Sequence, residues 1–102
     1  MNDKLKEIQK VIVSAVDPEK IYLFGSRSNG NFKDKSDYDI LVVKKTNVPK
    51  YKLLVKIYKS FKIRDFSLDI LMFTPEEIEE WRSVSSSFIH HVLKTGKLVY
   101  ER

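Results

Sequence analysis

Apolar positions follow two periods along the chain. Leu5, Ile8, Ile12 and the pair Ala15/Val16 recur at helical spacing and predict an amphipathic first helix. Asp17-Pro18 ends it, because proline disfavours helical geometry in the residue before it. Ile21-Tyr22-Leu23-Phe24 is a short β-rich run bounded by Gly25, so it reads as a buried strand. Gly25 to Asn31 is a turn, and Tyr38 to Val43 a second strand. Residues 47–49 then open a helix with Leu53, Leu54, Ile57, Tyr58 and Phe61 on one face.

A third strand is predicted from Phe66 to Phe73. Thr74-Pro75-Glu76-Glu77 follows, with a capping threonine, a proline at the first helical position and a glutamate three residues after the cap. A last helix is predicted from Ser85 to Thr95, with Phe88, Ile89, Val92 and Leu93 inward and Gly96 as its stop. Leu98-Val99-Tyr100 adds a short edge segment. This order implies an α/β (α+β) fold: a small mixed sheet of about three or four strands packed with helices.

At 102 residues the chain is long enough for one core and too short for two, so residues 1–102 form a single domain. No apolar run reaches the ~20 residues of a membrane span. The first residues are charged and lack the apolar stretch of a signal peptide, and cysteine is absent, so a cytoplasmic location is expected. The net charge of +5 comes from lysines spread along the chain, which reads as a solvated surface. The densest patch, Lys44-Lys45 with Lys50 and Lys52, has one tyrosine beside it, Tyr51, and no repeated aromatic platform. Direct nucleic-acid binding is therefore not supported.

The candidate chemistry lies between the first and third strands. Side chains alternate along a strand, so Asp37 and Asp39 share one face and Tyr38 and Ile40 the other. Asp69 sits in an apolar run, where a lone carboxylate is costly to bury unless paired or metal-bound. If the second and third strands are neighbours, three carboxylates meet and raise one another's pKa. A divalent cation removes that conflict, and magnesium favours such hard oxygen ligands. Asp34, Asp37 and Asp39 lack the spacing and closing glutamate of an EF-hand. Gly25-Ser26 ends a strand, where backbone N–H groups and a hydroxyl suit phosphate, and Gly30 lets the turn close. The lysine of a Walker A loop is missing.

Gly-Ser, ten intervening residues, Asp-x-Asp and a third strand-borne aspartate together resemble the nucleotidyltransferase superfamily that includes DNA polymerase beta. The short length resembles its minimal nucleotidyltransferase (MNT) branch, the antitoxin half of HEPN–MNT toxin–antitoxin pairs. The resemblance implies a polymerase-beta-like fold. It implies that Gly25 and Ser26 hold the triphosphate of ATP, the co-substrate, and that Asp37, Asp39 and Asp69 hold two Mg²⁺ ions, with Asp69 also accepting a proton. It further implies transfer of AMP to a tyrosine hydroxyl of a HEPN-type ribonuclease toxin, in a hetero-oligomer. An idle site in an antitoxin that acts by binding, and a stand-alone enzyme acting on a small alcohol, are the alternatives.

Other residues rank lower. Arg27 is read as a solvated turn residue. His90 and His91 point about 100° apart on a helix and make no ligand pair. Arg82 and His90, with seven residues between them, invite comparison with the HEPN ribonuclease motif, but the chain is not an all-helical bundle. Trp81, with Ile78, is expected in the core or against a partner.

Overall fold

In the computed structural model, residues 3–25, 37–61 and 66–102 are described. The first periodic stretch forms α1 (Asp3–Val16), which buries Leu5, Ile8, Ile12 and Val16 along one face. Asp17 follows at φ 49°, in the left-handed region where aspartate is among the better-tolerated residues. Its carbonyl accepts from Lys44 Nζ at 3.0 Å and from the Arg102 guanidinium at 2.6 Å.

Four strands form one mixed sheet in the order β3-β2-β1-β4. They are β1 (Lys20–Phe24), β2 (Tyr38–Val43), β3 (Leu68–Phe73) and β4 (Lys97–Glu101). β1 is antiparallel to both β2 and β4, whereas β2 and β3 are parallel and joined by a crossover through α2 (Lys50–Ser60). The third strand starts at Leu68, later than the predicted Phe66. Phe66 instead packs edge-on against Tyr38 and Phe61, at centroid distances of 5.6 and 6.1 Å.

The sheet has two unlike faces. Ile21, Leu23, Tyr38, Ile40, Val42, Leu68, Ile70 and Met72 pack with α1 and Ile57 of α2 in the main core. Leu41 and Val43 point the other way, against Val92 and Ile78. β2 is thus covered on both sides from Ile40 to Val43, which accounts for its unbroken apolar run.

The second face is covered by α3 (Pro75–Trp81) and α4 (Phe88–Thr95). α3 begins as predicted: the Thr74 hydroxyl accepts from the Glu77 amide at 3.1 Å, and Glu77 accepts from the Thr74 amide at 2.8 Å. α4 starts three residues later than predicted, because Ser87 caps it by accepting from the His90 amide at 3.1 Å. Gly96 ends α4 without positive φ (−81°). Its role is close approach, since a Cβ there would lie 2.7 Å from the Val92 carbonyl oxygen and 3.0 Å from that of Leu23.

Candidate functional site

α3 and α4 cover only part of the second face. Leu41 and Val43 are buried beneath them, but on β3 both Asp69 and Leu71 are exposed. The uncovered end is where β1 finishes and β2 and β3 begin, and the sequence sets its acidic residues there.

The register is direct. Asp39 pairs with Asp69 across the parallel β2–β3 ladder and with Phe24 across the antiparallel β1–β2 ladder. Paired residues on neighbouring strands share a face, so Asp39 and Asp69 stand side by side about 4.8 Å apart at the backbone. Asp37, exposed just before β2, is two residues from Asp39 and so continues the same face. Tyr38 and Ile40 are buried on the opposite side.

Electrostatics report the same grouping. The Asp39 carboxyl is held above the usual carboxylate range, first by burial, then by the charge of Asp69, then by that of Asp37. Among the described residues, no three His, Cys, Asp or Glu side chains are already drawn together as a cage for an ion. The donor chemistry nevertheless fits a divalent cation: three hard carboxylates on one face, with the central one carrying uncompensated negative charge.

Gly25 borders this group. It has φ +78°, a conformation that favours glycine, and a Cβ there would collide with Asp39 Oδ2 and lie 3.2 Å from its Cγ. Glycine is therefore needed both for the turn and for the room beside Asp39. Ser26, Arg27, Gly30 and Asp34 lie outside the described residues.

One expectation about a neighbouring residue is corrected, and another is narrowed. Phe88, predicted inward, is 43% exposed. It is the first residue of α4 and leans over the sheet, meeting Phe24 edge-on at 5.3 Å and Phe73 at 6.5 Å. Trp81, expected in the core or against a partner, ends α3 at 46% exposure, which excludes the first of those two settings. An aromatic floor thus adjoins the carboxylates, since Phe24 is the cross-strand partner of Asp39. The alternation of Tyr22 and Phe24 against Ile21 and Leu23 was the sequence signal for it.

His90 is half-buried and His91 exposed. His90 Nδ1 lies 2.8 Å from the Arg82 carbonyl oxygen, while the Arg82 guanidinium bonds Glu79 at 2.9 Å. The two side chains do not form a ribonuclease-like pair. No helix among the described residues is long and apolar enough to cross a membrane.

Comparison with known proteins agrees with this architecture. The family described as Polymerase beta, Nucleotidyltransferase matches residues 6–102. No curated protein matches the chain. Among solved structures, a protein classed as a nucleotidyltransferase from Sulfolobus solfataricus superposes with TM-score 0.65 at 26% identity, over 96% of this chain and 78% of that one. A toxin–antitoxin structure with AMP-PNP gives TM-score 0.60 at 24% identity, over 95% and 73%. A mutant of the toxin–antitoxin MntA-HpeT gives 0.62 at 21%, over 100% and 75%. At their identities, the last two share the fold.

Proposed function

The chain belongs to the polymerase-beta nucleotidyltransferase family, and from that premise we propose that it is an MNT-type antitoxin that transfers AMP from ATP to a tyrosine hydroxyl of a HEPN-type toxin. The observation that carries this reading is the register that sets Asp39 beside Asp69, with Gly25 shaped to leave space against Asp39. The toxin–antitoxin neighbours, one solved with AMP-PNP, support a nucleotide substrate and a protein partner.

Each residue has a distinct task. By motif position, Gly25 and Ser26 would cradle the triphosphate. Asp37, Asp39 and Asp69 would hold Mg²⁺, two ions in all, which when bound would neutralise phosphate charge and bring the attacking and leaving oxygens into line. Asp69, exposed at the sheet edge, stands where an acceptor hydroxyl can reach it and takes its proton. The hydroxyl oxygen forms a bond to the α-phosphorus as the bond from that phosphorus to the bridging oxygen breaks. Pyrophosphate leaves on the Gly25 side. Burial and the two neighbouring charges that push Asp39 up make the site electrostatically unfavourable until positive charge arrives, which suits a site that loads with Mg–ATP.

The test is transfer of label from α-labelled ATP to a HEPN-type toxin, with Mg²⁺ present. The expected result is labelled toxin with wild type and none with Asp37→Ala or Asp39→Ala. Undiminished labelling by both variants would remove the site assignment. If a folded, toxin-binding wild type transfers no label yet still neutralises the toxin, the chain acts by occlusion.

A further inference from the structure

The hydroxyl of Tyr58, on α2, meets the backbone of β3 on either side of Asp69. It accepts from the Ile70 amide at 2.9 Å and lies 3.5 Å from the Leu68 carbonyl oxygen. We infer that Tyr58 is a positioning residue: it clamps the strand at Asp69 and so aims that carboxylate at the metal and the acceptor hydroxyl. The inference rests on the transfer reaction proposed above and names a residue that this reaction needs away from the acidic face.

The place of β3 in the sheet explains the need for a clamp. It is an edge strand, and Asp69 is exposed on it. An edge strand carries a row of N–H and C=O groups with no ladder partner. Along a strand, the two groups of one residue point the same way and those of the next residue the opposite way. The Ser67 carbonyl, one residue before β3, accepts from the Tyr38 amide at 2.9 Å, and that of Phe73 accepts from the Lys44 amide at 3.0 Å. Odd-numbered residues here therefore turn toward β2, and Leu68 and Ile70 turn outward. Two peptide planes flank the Asp69 Cα. One carries the Leu68 carbonyl and the Asp69 amide, the other the Asp69 carbonyl and the Ile70 amide. The inner end of each faces the β2 ladder, and the Tyr58 hydroxyl meets the outer end of both. A hydroxyl can accept and donate at once, so one group serves both planes.

Tyr58 works from the layer opposite the carboxylates. Its neighbour Ile57 is fully buried in the main core with Leu68 and Ile70, and the Tyr58 ring, itself half-buried, packs against that cluster. Asp69 is carried on the other face of the strand. Tyr58 thus acts on Asp69 through the backbone rather than by touching nucleotide. A ring locked by packing gives its hydroxyl a fixed place, as support for a metal ligand requires, to within about 0.5 Å.

Tyr58→Phe keeps the ring and removes the hydroxyl. With saturating Mg²⁺ and α-labelled ATP, kcat for labelling a HEPN-type toxin should fall about 10–100-fold, the usual effect of losing the group that orients a metal ligand. Mn²⁺ affinity, measured with a non-hydrolysable ATP analogue bound, should fall about tenfold. In an Asp69→Asn background, Tyr58→Phe should lower that affinity no further, because the two residues act as one unit. Tyr51→Phe, at a tyrosine 64% exposed on the same helix, should leave rate and affinity unchanged.

Wild-type rate and Mn²⁺ affinity in Tyr58→Phe overturn the positioning role and leave the transfer reaction standing. An affinity loss that requires Asp69, in a chain whose wild type labels no toxin, supports the positioning role and removes the transfer reaction. An equal loss with and without Asp69 overturns the role, because Tyr58 then only supports the fold. Should Tyr58→Phe not fold, amide exchange in the wild type decides: slow exchange at Ile70 supports the clamp, and exchange at the rate of an open peptide overturns it.

Discussion

Replacing Asp39 by asparagine should stabilise the fold while abolishing transfer. Asp39 is the middle member of the acidic row, with its carboxyl raised by burial and then by the charges of Asp69 and Asp37. A carboxylate whose folded pKa lies above its unfolded value opposes folding at neutral pH, and the penalty disappears as pH falls through the folded pKa. Two like charges about 5 Å apart repel by roughly 1 kcal/mol in water and roughly 3 kcal/mol at an effective dielectric of 20. Asp39 is only partly buried and its two neighbours are exposed, so solvent screening places the gain near the lower figure. For a domain of this size, about 1 kcal/mol corresponds to a rise in Tm of about 4 °C. The assay is thermal unfolding at pH 7, low salt and excess EDTA, repeated with Mg²⁺. Asp39→Asn should melt higher than wild type in EDTA. Wild type should gain Tm with Mg²⁺, and the variant should gain little. A lower Tm for Asp39→Asn in EDTA would refute the reasoning, because Asp39 would then be a structural partner rather than a strained charge.

Other consequences follow from the same geometry. Gly25→Ala should cost about 1–2 kcal/mol for its positive φ alone, and more from collision with Asp39. Combining it with Asp39→Ala should recover the collision part in a double-mutant cycle of chemical unfolding, and strict additivity would deny the contact. Thr74→Ala removes the capping box and should lower stability by about 1 kcal/mol with nucleotide affinity unchanged, as read by denaturation and calorimetric binding. Burial alone would raise the Glu77 carboxyl, but the Lys50 ammonium at 2.8 Å and the Thr74 amide hold it below the usual carboxylate range. Its contribution is present above the unfolded pKa and is lost as pH falls through the folded one. Glu77→Gln should therefore flatten the acid limb of the stability–pH curve.

Much of this site is legible before any coordinates. The spacing from Gly25 to Asp39 and the strand-borne Asp69 are local features, and strand alternation alone assigns Asp37 and Asp39 to one face. α1, the strand cores and the Thr74 cap follow from periods and capping residues in the same way. What local pattern leaves open is set by long-range packing. The neighbour of β1 other than β2 is β4, and only the folded sheet decides that. Phe88 opens α4, where helical periodicity gives little hold on direction, so its ring lies over Phe24 rather than inward. Trp81 ends α3 and projects beside it for the same reason. Gly96 looks like a left-handed helix stop in sequence, but its absent side chain makes room for two carbonyls.

The central claim is that Asp37, Asp39 and Asp69, beside Gly25, form one metal–nucleotide site. Paramagnetic broadening by Mn²⁺ in the presence of ATP tests it residue by residue on isotopically labelled protein. The account predicts that resonances of Gly25, Asp37, Asp39 and Asp69 vanish first, at a few per cent of equimolar metal, and that Asp39→Asn abolishes the effect. Broadening centred instead on Glu76, Glu79 and Glu80 of α3, with the aspartates untouched, would contradict it.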